Sequence, residues 1–453
     1  MPNDPMTQST QLQSFPVRPR HTSIVLPVLG LLLSACNSAI SPGYRIEKHD
    51  VEVRFVPTPG QSLHLRAAYR LKNIGNSPLD SLDAKLPSES SFSRRNLLIS
   101  LDGQPISPTF SADTARIPFN PPWPVKSTRT LVIEYDLAPP NQFTENAFYL
   151  PPDNWYPALL PPNHLLARAD PPEQWDLRIR VPDGFLVHAS GRPRGSSRSG
   201  SERVHRFTQR PTDDFRPFLL SGRYHEQLVR SHGIAVNFWS FQSLPADKFV
   251  PAGSRLSSTA AVFQDLFGPA TKTLWIVEMT PLPSPSGRGS VVSPFPAGVL
   301  LPSPFFKESL RQPVSLELAE ALLAHTWLSE LSVSNLGPYH FVESSLIYHA
   351  VWLARQRRGE PLDPQSLAVQ NLRDSRKPPL FALALREKCG EESLNRGLRR
   401  MIQARRGLDW SIDDLRSALE LESGQNLAEF FRVWLYQPGI PDDFRRRYSS
   451  PSP

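Results

Sequence analysis

The strongest constraint on this chain is a change of residue period near its middle. From Tyr44 to about Tyr224, short runs alternate or cluster β-forming residues. They include VEVRFV (51–56), LHLRAAYRL (63–71), RTLVIEYDL (129–137), WDLRIRV (175–181) and FLLSG (218–222). Asn73-Ile74-Gly75-Asn76 and Pro182-Asp183-Gly184 are turn signals. Past about residue 225, GIAVNFWSF (233–241) and TLWIVEM (273–279) still read as strands. STAAVFQDLFGP (258–269) reads as a helix stopped at Gly268-Pro269, and from Val314 the pattern is mostly helical. Strand-rich then helix-rich predicts an α+β chain: an N-terminal antiparallel β-sheet domain of roughly 180 residues, then a mainly helical domain. RPRGSSRSGSE (192–202) reads as a polar hairpin loop without a site, and no repeat of fixed period is present.

With 453 residues the chain is long enough for two or three domains. Its 49 prolines are spread along the sequence, which fits many turns and strand ends better than one disordered linker. The net charge of +7 raises the question of a polyanionic partner. The densest arginine groups, Arg355-Gln356-Arg357-Arg358 and Arg445-Arg446-Arg447, fall near helix or chain ends. Cations are favoured there, so they read as solvated surface, and no nucleic-acid partner is expected.

RPRH (18–21), TSIVLPVLGLLL (22–33) and Ser34-Ala35-Cys36 form a basic start, an apolar run and small residues, the pattern of a secretory signal. The apolar run is shorter than the roughly 20 residues of a membrane-spanning helix. The cysteine directly after Leu33-Ser34-Ala35 resembles the bacterial lipoprotein signal. That resemblance implies removal of 1–35, lipid on Cys36 as membrane anchor, and a short linker over 36–43. Asn37, in place of an aspartate, implies the outer membrane facing the periplasm. Cys389 is the only other cysteine, so lipidation of Cys36 leaves no intramolecular disulfide. Cys389 reads as a buried small hydrophobe.

Several patches, in order, resemble the membrane alanyl aminopeptidase family (aminopeptidase N and its relatives, the gluzincin peptidases). NWYPAL (154–159) and WDLRIRVPDGFLVHASG (175–191) resemble that family's Trp-x-Pro patch and the strands after it. Read without the family, Trp155 and Tyr156 are core aromatics at a sheet edge. FGPATKTLWIVEM (267–279) looks like its helix-FGP-strand unit, and PFPAGVLLPSPFF (294–306) stands in the place of its G-x-M-E-N substrate strand. KPPLFALALREKCGEESLNRGLRRMIQ (377–403) resembles its later helices, and NLAEFFRVWLYQPGIPDDF (426–444) its terminal F-F-x-x-W-L-x-x-P-G-x-P signature. The resemblance implies a β-rich domain over 44–225, a thermolysin-like peptidase-type domain over 226–444, and a tail over 445–453.

The family's chemistry needs three zinc ligands, an open position for water, and a general base. Histidines four apart share one helix face, which is why H-E-x-x-H grips a metal. LAEALLAHTWLSEL (318–331) reads as one helix with a single histidine, His325. Laid on the family, the first histidine position holds Ala321, the base position Leu322, and the second histidine position His325. The downstream ligand position falls on Glu343, in FVESSLIYHAVW (341–352). The transition-state tyrosine position falls on Ser375, and Ala297-Gly298-Val299-Leu300-Leu301 carries no acidic anchor for a substrate amino group. His340, three residues before Glu343, completes the sharpest alternative donor set, His325, His340 and Glu343; His349, six after Glu343, falls on a different helix face. Otherwise His325 and Glu343 form a buried, metal-free hydrogen-bonded pair. Glu317 and Glu320 lie on the same helix, and neither is four residues from His325.

No catalytic residue and no cofactor is therefore expected. The chain reads as a non-catalytic, lipid-anchored aminopeptidase-like protein of the bacterial envelope that binds peptide or protein or serves a structural role. The alternative is a zinc metallopeptidase with an altered site, built on His325 and Glu343.

Overall fold

The computed structural model describes residues 43–449, apart from 57–61, 88–92, 139–143, 145, 153–154, 161–172, 210–216, 271, 281–292, 332, 335–339 and 407. Cys36, the leader before it and the tail 450–453 lie outside the described residues.

The first half is built on an eight-stranded sheet. Its order is Arg192–Ser199, Glu202–Gln209, Trp175–Pro182, Tyr44–Val56, Ser62–Asn73, Thr128–Ala138, Ser93–Leu101, Gln104–Pro105. Pairing is antiparallel except between Tyr44–Val56 and Trp175–Pro182, which run parallel. The period-2 pattern does what it predicts. Val51, Val53 and Phe55 point inward with Leu63, Leu65 and Ala67, while Arg54 and Arg66 point to solvent. The inner face packs on a four-stranded sheet through Leu82, Ala84, Ile117 and Phe119. Trp155 is fully buried and donates from Nε1 to the Pro217 carbonyl at 2.7 Å. Tyr156 is half-buried beside it.

RPRGSSRSGSE is not a loop. Arg192–Ser199 is a full strand, paired with Glu202–Gln209 across a turn at Gly200-Ser201. All eight of its residues are exposed, so no buried face imposes alternation on its sequence, and backbone pairing alone makes it a strand.

The second half begins with a mixed five-stranded sheet: His225–Ser231, Ile234–Ser240, Thr273–Met279, Gly298–Pro302, Ser293–Phe295. The helix Val250–Phe267 covers it, starting eight residues before the STAAVFQ run and ending at Gly268 with φ 93°. Helices Ser303–Arg311, Glu317–Leu331, His340–Arg357, Pro364–Arg373, Lys377–Cys389, Glu391–Ala404, Ile412–Ser423, Ala428–Tyr436 and Asp442–Ser449 follow. Their inward faces share one core running from Val229 to Phe444.

An aromatic cluster joins the halves. Phe218 and Tyr224 pack with Trp239, Val277, Phe295 and Leu300. His188 stacks on Trp275 with ring centroids 4.0 Å apart.

Candidate functional site

The helix Glu317–Leu331 is buried nearly all round. Ala319, Glu320, Leu323, Ala324, Thr326, Trp327 and Leu328 are inside. Leu318, His325 and Ser329 are exposed, and Ala321 and Leu322 are half-buried. Positions 318, 321, 322, 325 and 329 follow helical spacing, so they make one open stripe. Trp327 fixes the helix from behind, donating from Nε1 to the Gly268 carbonyl at 3.0 Å.

The helix His340–Arg357 packs across this one and carries Glu343 in its first turn. His325 Nδ1 lies 3.2 Å from Glu343 Oε1, so two residues 18 positions apart in sequence do meet. The hydrogen bond to Glu343 raises the His325 pKa above the usual imidazole value, against an opposing effect of desolvation. The pair is not the buried one expected. The His325 side chain is 48% exposed and that of Glu343 16%. The open stripe is the reason, because no element covers the His325 face among the described residues.

His340 is the first residue of its helix and is exposed. Although three residues from Glu343, it does not join the pair. Among the described residues no three His, Cys, Asp or Glu side chains converge closely enough to hold a metal ion. A zinc site of this type takes three protein ligands, and the described donors supply two, so they do not fit one. His349, further along the same helix, is fully buried and bonded through Nε2 to Asn395 Oδ1 at 2.7 Å.

Ser375 lies in the tight turn between Pro364–Arg373 and Lys377–Cys389, exposed and with left-handed φ of 52°. Its N–H donates to the Leu372 carbonyl at 3.2 Å. The turn touches a tyrosine from another element: Arg376 donates to the Tyr348 hydroxyl and lies over its ring. The Lys377 ammonium sits 5.2 Å above the Phe341 ring, and burial lowers its pKa.

Gly298–Pro302, read from sequence as the counterpart of a substrate strand, is interior to its sheet. It pairs with Thr273–Met279 on one side and Ser293–Phe295 on the other, and all five of its residues are buried. On that second side the pairing covers residues 298–300, and among the described residues the unpaired edge beyond it is Ser293–Phe295.

Sequence reasoning missed a charged cluster behind the His325 helix. Arg255 grips fully buried Glu320 with two parallel bonds, Nε to Oε1 at 2.9 Å and Nη2 to Oε2 at 3.0 Å. Thr259 Oγ1 donates to the same carboxylate at 2.7 Å, and Arg358 approaches it at 3.2 Å. Glu360 accepts from Arg255, Arg358 and Arg355. Burial pushes the Glu360 pKa up, but these guanidiniums outweigh it and hold it below the usual carboxylate range. The Arg355–Arg358 group is thus not a solvated patch. Arg358 is 14% exposed, and Arg357 alone faces outward, to Asp265. The one sequence signal was Glu320 standing among small and apolar residues.

Cys389 is buried and free, and burial pushes its thiol up to about 11, as suits an inert hydrophobe.

The chain matches no protein-family model, and no curated protein matches it. Its fold does match solved structures. It is similar to the M1 zinc metallopeptidase from Deinococcus radiodurans at 17% identity and TM-score 0.61, over 88% of this chain and 95% of that one. A glutamate-to-alanine mutant of that enzyme matches at 18% identity and TM-score 0.61, over 88% and 96% of the two chains. The same mutant bound to a Tyr-Ser-Ala substrate matches at 19% and 0.60, over 88% and 95%. Identities this low speak for the fold alone. This chain has the two-domain architecture seen in M1 zinc metallopeptidases, a multi-sheet β domain followed by a helical domain.

Proposed function

We propose that this protein is a non-catalytic, lipid-anchored envelope protein that uses an aminopeptidase-type scaffold to bind a peptide or protein or to serve a structural role. One observation carries the reading. The open stripe that holds His325 against Glu343 presents Ala321 one turn earlier and Leu322 beside it. Neither side chain can ligate a metal or take a proton from water. Ser375, at the position the resemblance gives to a tyrosine, carries no phenol. The anchor belongs to the same proposal: Cys36, behind its basic and apolar leader, would hold the domains at the outer membrane on the periplasmic side.

The alternative, a metallopeptidase with an altered site, is favoured by the surviving His325–Glu343 pair. Hydrolysis of aminoacyl p-nitroanilides, with and without added zinc, separates the two. The proposal expects no turnover above buffer. Turnover that a chelator abolishes and that His325→Ala removes would establish the alternative.

A further inference from the structure

The hairpin Arg192–Ser199/Glu202–Gln209 closes one end of the eight-stranded sheet, and its outer edge pairs with no strand among the described residues. It is also strongly charge-biased. Residues 192–209 hold five arginines and one glutamate, a net +4 of the chain's +7. The few acids nearby are already engaged. Glu202 accepts from Arg54 at 2.7 Å. Asp183 is shared by Arg203 at 3.0 Å and Arg198 at 3.5 Å. Arg192, Arg194 and Arg206 are exposed and face no carboxylate within ion-pair distance among the described residues.

Folding does not explain this arrangement. The register sets Arg198 opposite Arg203 and Arg206 opposite Arg178. Like charges directly opposite each other weaken a sheet. Guarding an edge against aggregation takes a charge or two and a bulge, and the bulge is present between Pro193 and Gly195. Asp183 bridges the Arg198–Arg203 pair and Glu52 accepts from Arg178, which leaves Arg206 as the arginine set opposite another with no carboxylate of its own among the described residues.

We propose that this ribbon is an electrostatic docking surface for the phosphate-bearing headgroups of an anionic membrane. The register sets Arg192 opposite Thr208, on the same face of the ribbon as Arg206 two residues away, so these guanidiniums can meet a flat surface together. Each guanidinium offers parallel N–H donors that match phosphate oxygens. Phe207 is buried and His205 half-buried, so the ribbon shows no exposed aromatic ring on which a nucleobase stacks. It also lacks the aromatic anchor that centres a protein interface. The proposal takes from the lipid-anchor reading only that a membrane is near. Eight residues, 36–43, link Cys36 to Tyr44 and span up to about 28 Å, which keeps the domain at the bilayer surface.

The test is vesicle co-sedimentation of the chain from Asn37 to Pro453, which lacks the apolar leader and the lipid, on phosphatidylglycerol/phosphatidylcholine vesicles and on phosphatidylcholine alone. The expected result is binding to the anionic vesicles only, weakening as salt rises. The triple change Arg192→Ser, Arg194→Ser, Arg206→Ser should weaken it on the order of a hundredfold. It touches only exposed, unpaired side chains, so the melting temperature should stay put. The control triple Arg311→Ser, Arg373→Ser, Arg445→Ser, also exposed, removes the same charge elsewhere and should bind nearly as the parent does. Equal loss in both triples would reduce the effect to net charge and overturn the proposal. So would equal binding to both vesicle types, full displacement by millimolar inorganic phosphate, or tighter binding to a duplex oligonucleotide. Acyl labelling of Cys36 is a separate measurement. Its failure would sink the anchor and leave the vesicle result standing.

Discussion

At the scale of single residues, the account rests on His325. A histidine 3.2 Å from a carboxylate and half open to solvent titrates, and the hydrogen bond keeps its proton on longer than usual. Its folded pKa is raised, so the stability it contributes is fully present below the unfolded value near 6.5. That stability is lost as pH rises through the folded value. The contribution is small, at most about 1 kcal/mol, because the pair is solvent-screened. Histidine NMR should place His325 above the usual imidazole value of about 6.5 and shift it downward in Glu343→Gln, where only desolvation is left. An unmoved titration in that variant would mean that the pair does not exist in solution. The partnership was legible in the sequence because spacing laid on a related pattern pointed to Glu343. Its exposure was not legible, because helix periodicity places a face without saying what stands opposite it. Ser375 shows the same limit: its position was readable, its left-handed turn and outward direction were not.

At the scale of elements, the His325 helix is held from behind. Glu320 has no exposure, and Arg255, Thr259 and Arg358 converge on it. A buried ion pair is weak evidence of net stabilisation, yet removing one partner strands the other's charge. Glu320→Gln should therefore cost about 3–5 kcal/mol in urea unfolding. Glu317→Gln, whose carboxylate is half exposed on Arg355, should cost under about 1 kcal/mol. Equal effects would contradict the clamp. Tyr44–Val56 and Ser62–Asn73, read from alternation, each bury one face. Leu79–Lys85 and Thr114–Trp123 do so too and were not read, because Pro118, Pro121 and Pro122 and the short run at 79–85 mask the pattern. Arg192–Ser199 was not read either, since it buries neither face. Glu320 and Arg358 were unreadable for a related reason: a charge is buried when partners from other elements meet it, and sequence proximity does not report those partners.

At the scale of the whole molecule, two cores and the aromatic cluster between them form a scaffold with neutral histidines inside. Burial pushes His49 and His188 down to about 3 and His349 to about 4. The unfolded chain binds those protons near pH 6.5 and the folded chain does not. Stability therefore falls as pH drops from about 6.5 toward 4, by up to roughly 1.4 kcal/mol per unit for each histidine. His325 has the opposite sign, and its contribution is already complete in this window. Urea midpoints should drop clearly between pH 7 and pH 5, and His49→Phe should flatten the slope. A level profile would show that these histidines stay hydrated. The α+β order was legible across the whole chain, and the fold shared with M1 zinc metallopeptidases agrees with it. Whether the chain can hold a metal turns on a few side chains on one open stripe. The most direct measurement is the zinc content of the purified chain after dialysis against zinc-containing buffer. The account predicts far less than one zinc per chain, unchanged in His325→Ala. One zinc per chain, lost in that variant, would contradict it.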